Sequence, residues 1–147
     1  MKVAIGSDHA GYKAKQRAIE ALRELGVEVD DVGTHSEASC DYPDYAFEVA
    51  QRVSRKQADV GVLICGTGIG MSITANKVRG VRAACVHSDL TCEMARRHND
   101  ANVLCMGARV LDDRQVQDLV RQFLRIPFDG GRHTRRIRKI TNLDRAR

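Results

Sequence analysis

Val60-Gly61-Val62-Leu63-Ile64-Cys65-Gly66-Thr67-Gly68-Ile69-Gly70-Met71-Ser72-Ile73-Thr74-Ala75-Asn76-Lys77 decides how this chain is read. The apolar run 60–64 is short and aliphatic, as a strand buried on both faces is. The stretch 71–77 reads as a helix. A thiol and three glycines therefore sit where a strand ends and a helix begins. Glycines there let backbone N–H groups approach a ligand, and a helix start carries partial positive charge. That field favours the thiolate of Cys65 and stabilises an oxyanion beside it. The arrangement suits chemistry in which a base removes a proton and leaves negative charge on oxygen.

Plainer readings compete. Gly66, Gly68 and Gly70 depart from G-x-G-x-x-G because position 71 is Met, and no Gly-Lys-Ser/Thr follows them. A nucleotide site is therefore weakly supported. A Cys at a strand end is often only a small buried hydrophobe.

Working outward, residues 2–7 read as a first strand. Ala14, Ala18, Leu22 and Leu25 recur at helical spacing over 12–25, with Gly26 as a stop. A second strand covers 27–32. Tyr42-Pro43-Asp44 opens a helix over 45–56, and the third strand is 59–64. A fourth strand at 81–86, a helix at 88–97, a fifth strand at 101–106 and a helix at 112–124 follow. Gly130-Gly131 breaks the chain before a last helix at about 132–143.

Strands alternating with helices imply an α/β domain whose parallel sheet is covered on both faces. Such sheets bind ligands beyond the carboxyl ends of their strands, where the strand order reverses. Ser7-Asp8-His9, Cys65-Gly66-Thr67 and His87-Ser88 all fall on that edge. His98-Asn99-Asp100 falls at the other end of the fifth strand, so it can join the same site only from a neighbouring subunit.

The bulk properties set bounds. A chain of 147 residues, 43% hydrophobic and 29% charged, is expected to form a single domain, 1–147. No apolar run is long enough to span a membrane. The chain enters a strand directly, without a signal-peptide pattern, which leaves the cytoplasm as the expected compartment. Five cysteines with no C-x-x-C pair argue against a disulfide framework and a zinc site. Cys85 and Cys105 lie in apolar runs and read as core. The net charge of +5 is concentrated. Residues 132–147 hold seven cations against Asp144 alone.

Each polar cluster has two readings. Asp8 can cap the first helix, leaving His9 exposed, or the pair can contact a hydroxyl or phosphate. His98 can satisfy helix carbonyls, or serve as an acid–base group near neutral pH. Arg132 and Arg136, spaced i,i+4, can be part of a solvated basic face or fork onto a dianion together. Ile137, Ile140 and Leu143 form a separate stripe on that helix, expected to pack. Nucleic-acid binding fits poorly, because no aromatic residue interleaves with these arginines. Tyr42 suits a pocket rim or a helix staple. His35 and His87 read as structural.

Taken in order, Gly6-Ser7-Asp8-His9-Ala10-Gly11, Asp41-Tyr42-Pro43, Cys65-Gly66-Thr67-Gly68-Ile69-Gly70, Ala75-Asn76-Lys77, His98-Asn99-Asp100, Gly107-Ala108-Arg109 and Gly130-Gly131-Arg132-His133 closely resemble the type B ribose-5-phosphate isomerases. The match runs over nearly the whole chain. The resemblance implies a Rossmann-like three-layer α/β/α sandwich with a five-stranded, mainly parallel sheet. It implies interconversion of D-ribose 5-phosphate and D-ribulose 5-phosphate with no metal and no cofactor. It implies a homodimer or homotetramer with sites shared between subunits, and no nucleic-acid or membrane partner.

By the same resemblance Cys65 is the base that moves a proton between C1 and C2 through an enediolate. Thr67 and His98 match ring-opening residues. The amides of Gly66, Thr67, Gly68, Ile69 and Gly70 match an anion hole. His9, Arg132 and Arg136 match phosphate contacts, and Asp8, Tyr42 and Asn99 match sugar contacts. A branch that resembles this pattern places Glu just beyond the loop, where this chain has Met71. The alternatives are an isomerase of a six-carbon sugar phosphate, such as allose 6-phosphate or galactose 6-phosphate, and a non-catalytic phosphosugar or nucleic-acid binder.

Overall fold

The structure is a computed structural model and describes residues 1–146. Five strands form one sheet: β1 (Lys2–Ser7), β2 (Glu28–Gly33), β3 (Val60–Cys65), β4 (Ala83–Cys85) and β5 (Val103–Gly107). Their order is β2-β1-β3-β5-β4, and every pairing is parallel. The helices are α1 (Tyr12–Glu24), α2 (Tyr42–Ser54), α3 (Ile69–Ala75), α4 (Asp89–Arg97), α5 (Asp113–Arg125) and α6 (Arg132–Leu143).

The sandwich has three layers because β3 alternates its apolar side chains between two cores. Val60, Val62 and Ile64 join α1, α4 and α5. Leu63 and Cys65 join α2 and α3. All six residues of β3 are buried, as a central parallel strand covered on both faces must be. Gly61 is required by this packing, since a Cβ there would lie 2.7 Å from the Val49 side chain of α2.

The chain leaves β1 toward β2 on one side, while β3 flanks β1 on the other. The carboxyl ends of β1 and β3 thus form the switch point at which such sheets open a crevice. Lys15, fully buried on α1, steadies the approach to it. Its Nζ donates to Asp31 Oδ1 and to the Thr34 carbonyl, both at 2.6 Å. These bonds tie down the start of the connection that leads to Tyr42.

Several elements differ from the sequence pattern. α3 begins at Ile69 rather than residue 71, so the last two loop residues already belong to the helix. β4 is three residues instead of six, because it pairs only with β5 at the sheet edge. Its edge position also explains why Cys85 is exposed, against the expectation of a core residue, while Cys105 is fully buried. α6 buries only His133. Ile140 and Leu143 are exposed by 44% and 65%, so most of the expected apolar stripe lacks cover within the chain.

Candidate active site

At the carboxyl edge, β1 ends at Ser7 and delivers Asp8, and β3 ends at Cys65. Asp8, Tyr42, Cys65, Gly66, Thr67, Ile69, Gly70, Ile73 and Arg109 line one cavity of about 370 Å³. The loop closes on itself around the thiol. Gly68 takes the left-handed conformation at φ 80°, which turns its N–H onto Cys65 Sγ at 3.1 Å. Ile69 N–H donates to Thr67 Oγ1 at 3.3 Å. Two of the five expected anion-hole amides therefore act inside the loop, on the thiol and on the hydroxyl. Gly70, within the first turn of α3, keeps an N–H with no intrahelical acceptor.

Neighbouring groups hold this loop. Asp8 is buried, and its Oδ1 accepts from Gly11 N–H at 3.0 Å. It thus steadies the entry to α1 while still facing the cavity. The Tyr42 ring lies over Gly70, where a Cβ would come within 2.5 Å of it. His9 accepts from Cys40 N–H at Nδ1, 3.2 Å away, which puts the proton of the neutral ring on Nε2. Cys85 Sγ lies behind the loop, 3.6 Å from the Thr67 carbonyl. Although the residue is exposed, partial desolvation of the sulfur against the loop, then the nearby Cys65, push its thiol above the ordinary value.

Arg109 is a cavity residue to which the sequence reading gave no role. Its backbone N–H donates to the Gly66 carbonyl at 3.0 Å, and its guanidinium stands against Gly66. Its signal was available, because it follows β5 at the same carboxyl edge as Asp8 and Cys65. His87 lines a different cavity with Ser88, Asp89 and Gln115.

His98, Asn99, Arg132 and Arg136 do not line the Cys65 cavity. His98 caps the end of α4 at the amino edge of β5, whereas Cys65 pairs with Gly107 at the carboxyl edge. The ladder from Gly61 to Cys65 separates these edges by about 13 Å. The amino-edge group is well organised in its own right. Arg82 donates to the carbonyls of Asn99 and Asp100, and Arg96 to Asp100 Oδ1 and the Ala101 carbonyl. Together they clamp a turn in which Asp100 adopts φ 44°. The His98 ring stacks on His133 of α6 with centroids 4.1 Å apart and planes 13° apart. Arg132 and Arg136 project from the same helix and are exposed. Burial first, then His98, Arg132 and Arg136, push the His133 imidazole below its ordinary value.

Over residues 3–140 the chain matches the ribose/galactose isomerase family. It belongs to that family. The family member ribose-5-phosphate isomerase B of Escherichia coli is 42% identical over 99% of this chain and 98% of its own. The solved ribose-5-phosphate isomerase B of Clostridium thermocellum superposes with a TM-score of 0.97 at 45% identity, covering 99% of each chain. That of Mycoplasma genitalium, solved with bound ribulose-5-phosphate, superposes at 0.95 with 43% identity, covering 99% of this chain and 97% of its own. The three-layer parallel sandwich is therefore the family fold. No described helix is long and apolar enough to cross a membrane.

Proposed function

We propose that the chain is an aldose–ketose isomerase that interconverts D-ribose 5-phosphate and D-ribulose 5-phosphate, with Cys65 as the base. The observation that carries this reading is the Cys65 thiol under the Gly68 N–H, in a cavity also faced by Asp8, Tyr42 and Arg109. Family membership supports sugar isomerisation, and relatives named as sugar-phosphate isomerases support a phosphorylated substrate.

The steps balance on this chain's residues. Ring opening moves the O1 proton to the ring oxygen, with His98 and Thr67 as the proton-handling groups. The Cys65 thiolate takes the C2 proton of the open aldose, and the C–H electrons form an enediolate whose charge gathers on O1. Unengaged loop amides such as that of Gly70 stabilise this charge where it develops. Thr67 relays a proton from O2 to O1, and the Cys65 thiol returns its proton to C1. His9, Arg132, Arg136 and, from its place in the cavity, Arg109 hold the phosphate. Asp8, Tyr42 and Asn99 hold the sugar hydroxyls. No step calls for a metal.

One chain holds the two halves of this machinery at opposite edges of its sheet. We infer a homodimer in which His98, Asn99, Arg132 and Arg136 of one subunit complete the Cys65 cavity of the other. Ile69 and Ile73 are exposed beside the cavity, and Ile140 and Leu143 beside the other half, which supplies apolar surface for such a contact.

Formation of ribulose 5-phosphate from ribose 5-phosphate, with EDTA present, tests the activity in wild type and Cys65→Ala. Six-carbon phosphates run in parallel decide the sugar. Turnover in wild type that vanishes in the variant supports the reading, and full activity in the variant overturns Cys65 as base. Co-expressing Cys65→Ala with His98→Asn tests the sharing. Random pairing of two inactive subunits restores about a quarter of wild-type activity if each site draws on both chains. No recovery in purified mixed dimers rejects it.

A further inference from the structure

His98, Asp129 and His133 come from three separate segments: the end of α4, the α5–α6 connection and the first turn of α6. One ligand atom from each lies within 4.8 Å of the other two. The stack of His98 on His133 holds both rings side by side, which two imidazolium cations would resist. His133 is only 7% exposed.

We propose that His98, His133 and Asp129 form a transition-metal site whose occupation by zinc switches the isomerase off. Two imidazoles, one carboxylate and an open fourth position make a familiar zinc set. Imidazole donors suit zinc, copper and nickel, whereas magnesium and calcium want oxygen alone. With zinc–ligand bonds of about 2.0–2.2 Å, tetrahedral ligands stand roughly 3.4 Å apart. For both imidazole lone pairs to meet one ion, the two rings must leave their parallel stack and tilt toward each other, which also closes the 4.8 Å spacing.

The surroundings make this a reversible site rather than a structural one. Arg97 shares Asp129 Oδ1 at 3.1 Å, but it also pairs with Glu93, and the second Asp129 oxygen is available. Arg132 and Arg136 oppose a dication. The inhibitory consequence rests on the ring-opening role of His98 given under Proposed function. A nitrogen bound to zinc cannot carry a proton, so occupation removes that step. The binding itself does not depend on that role.

Zinc titrated into the apo protein against a chromophoric chelator tests the site. Wild type is expected to take one zinc per chain, and His133→Ala none. Asp129→Asn should weaken binding by at least the roughly 10–100-fold seen when even an outer-shell partner is lost. Asp129 is exposed, so that variant still decides the matter if His133→Ala fails to fold. Absence of saturable binding, or equal binding in wild type and both variants, overturns the proposal. Cobalt gives a second readout. A spectrum without a thiolate charge-transfer band supports nitrogen and oxygen ligands, and a strong one would move the metal to a cysteine and overturn it. Turnover is then followed with added zinc. Loss that EDTA reverses, at concentrations shifted upward in Asp129→Asn, supports the switch, and saturated binding with unchanged turnover overturns it. If wild type turns over no sugar phosphate at all, the functional reading fails while the titration still decides the site.

Discussion

The two edges of the sheet build their polar groups by different means. The carboxyl edge is made of backbone. Its thiol is held by an amide, its loop turns on a left-handed glycine, and Gly107 passes so close that a Cβ would lie 2.7 Å from the Thr67 backbone. The amino edge is made of long side chains: two stacked imidazoles, four arginines and a turn clamped by two of those arginines. Backbone placed against backbone has almost no slack. Long cations on an exposed helix keep their rotamer freedom until a ligand orders them. The first edge therefore suits chemistry, where a small displacement is costly, and the second suits holding a charged handle.

The sharpest break in this contrast is Cys65→Ala. Removal of a positioned base costs about 10²–10⁴-fold in turnover. The thiol is small and the loop keeps its other bonds, so the fold should be retained. Steady-state kinetics beside thermal melting checks both halves of that statement.

Gly107→Ala comes next. The added methyl meets the Thr67 main chain, which cannot rotate away as a side chain could. Overpacking of this kind costs about 1–3 kcal/mol. Because the displaced atoms belong to the loop that holds Cys65, the proposed base, turnover should fall along with the melting temperature. Arg135→Ala on exposed α6 is the matched control, and a surface change of its kind stays within about 0.5 kcal/mol. Equal losses in the two variants would erase the distinction between the edges.

Arg136→Ala tests the side-chain edge as a handle. A hydrogen bond to a charged group contributes about 1.5–3 kcal/mol. If it is present equally in ground and transition states, KM rises roughly 10- to 100-fold and kcat stays near wild type. An unchanged KM removes Arg136 from the phosphate site.

The same division explains what the sequence revealed. The backbone edge was legible because glycines at fixed offsets from a strand end are a local pattern, and Asp8 and Cys65 followed from the carboxyl-end rule. Arg109 follows β5 at that same edge, so its placement was open to the carboxyl-end rule, but nothing beside it in the sequence pointed to a role. The separation of His98 from Cys65 was legible from chain direction alone, whereas its stack on His133 depends on how α6 folds back against α4, about 35 residues later in the chain. Cys85 was misplaced because Ala83-Ala84-Cys85-Val86 reads identically in a central strand and an edge strand.

The smallest expected effect is a pH dependence that belongs to the side-chain edge alone. The His133 imidazole titrates below the ordinary 6.5 in the folded chain, through burial and then through His98, Arg132 and Arg136. Above about pH 6.5 the ring is neutral in both folded and unfolded chains and adds no pH slope. Below it, the unfolded chain takes up the proton first, so stability drains as pH falls until the folded ring is also protonated. Carboxylates titrate mostly below about pH 5, which leaves a window of roughly 5.5 to 6.5 for imidazoles. His133→Gln should show a smaller drop in melting temperature than wild type across that window. An identical drop would mean that His133 carries its proton as easily when folded as when free.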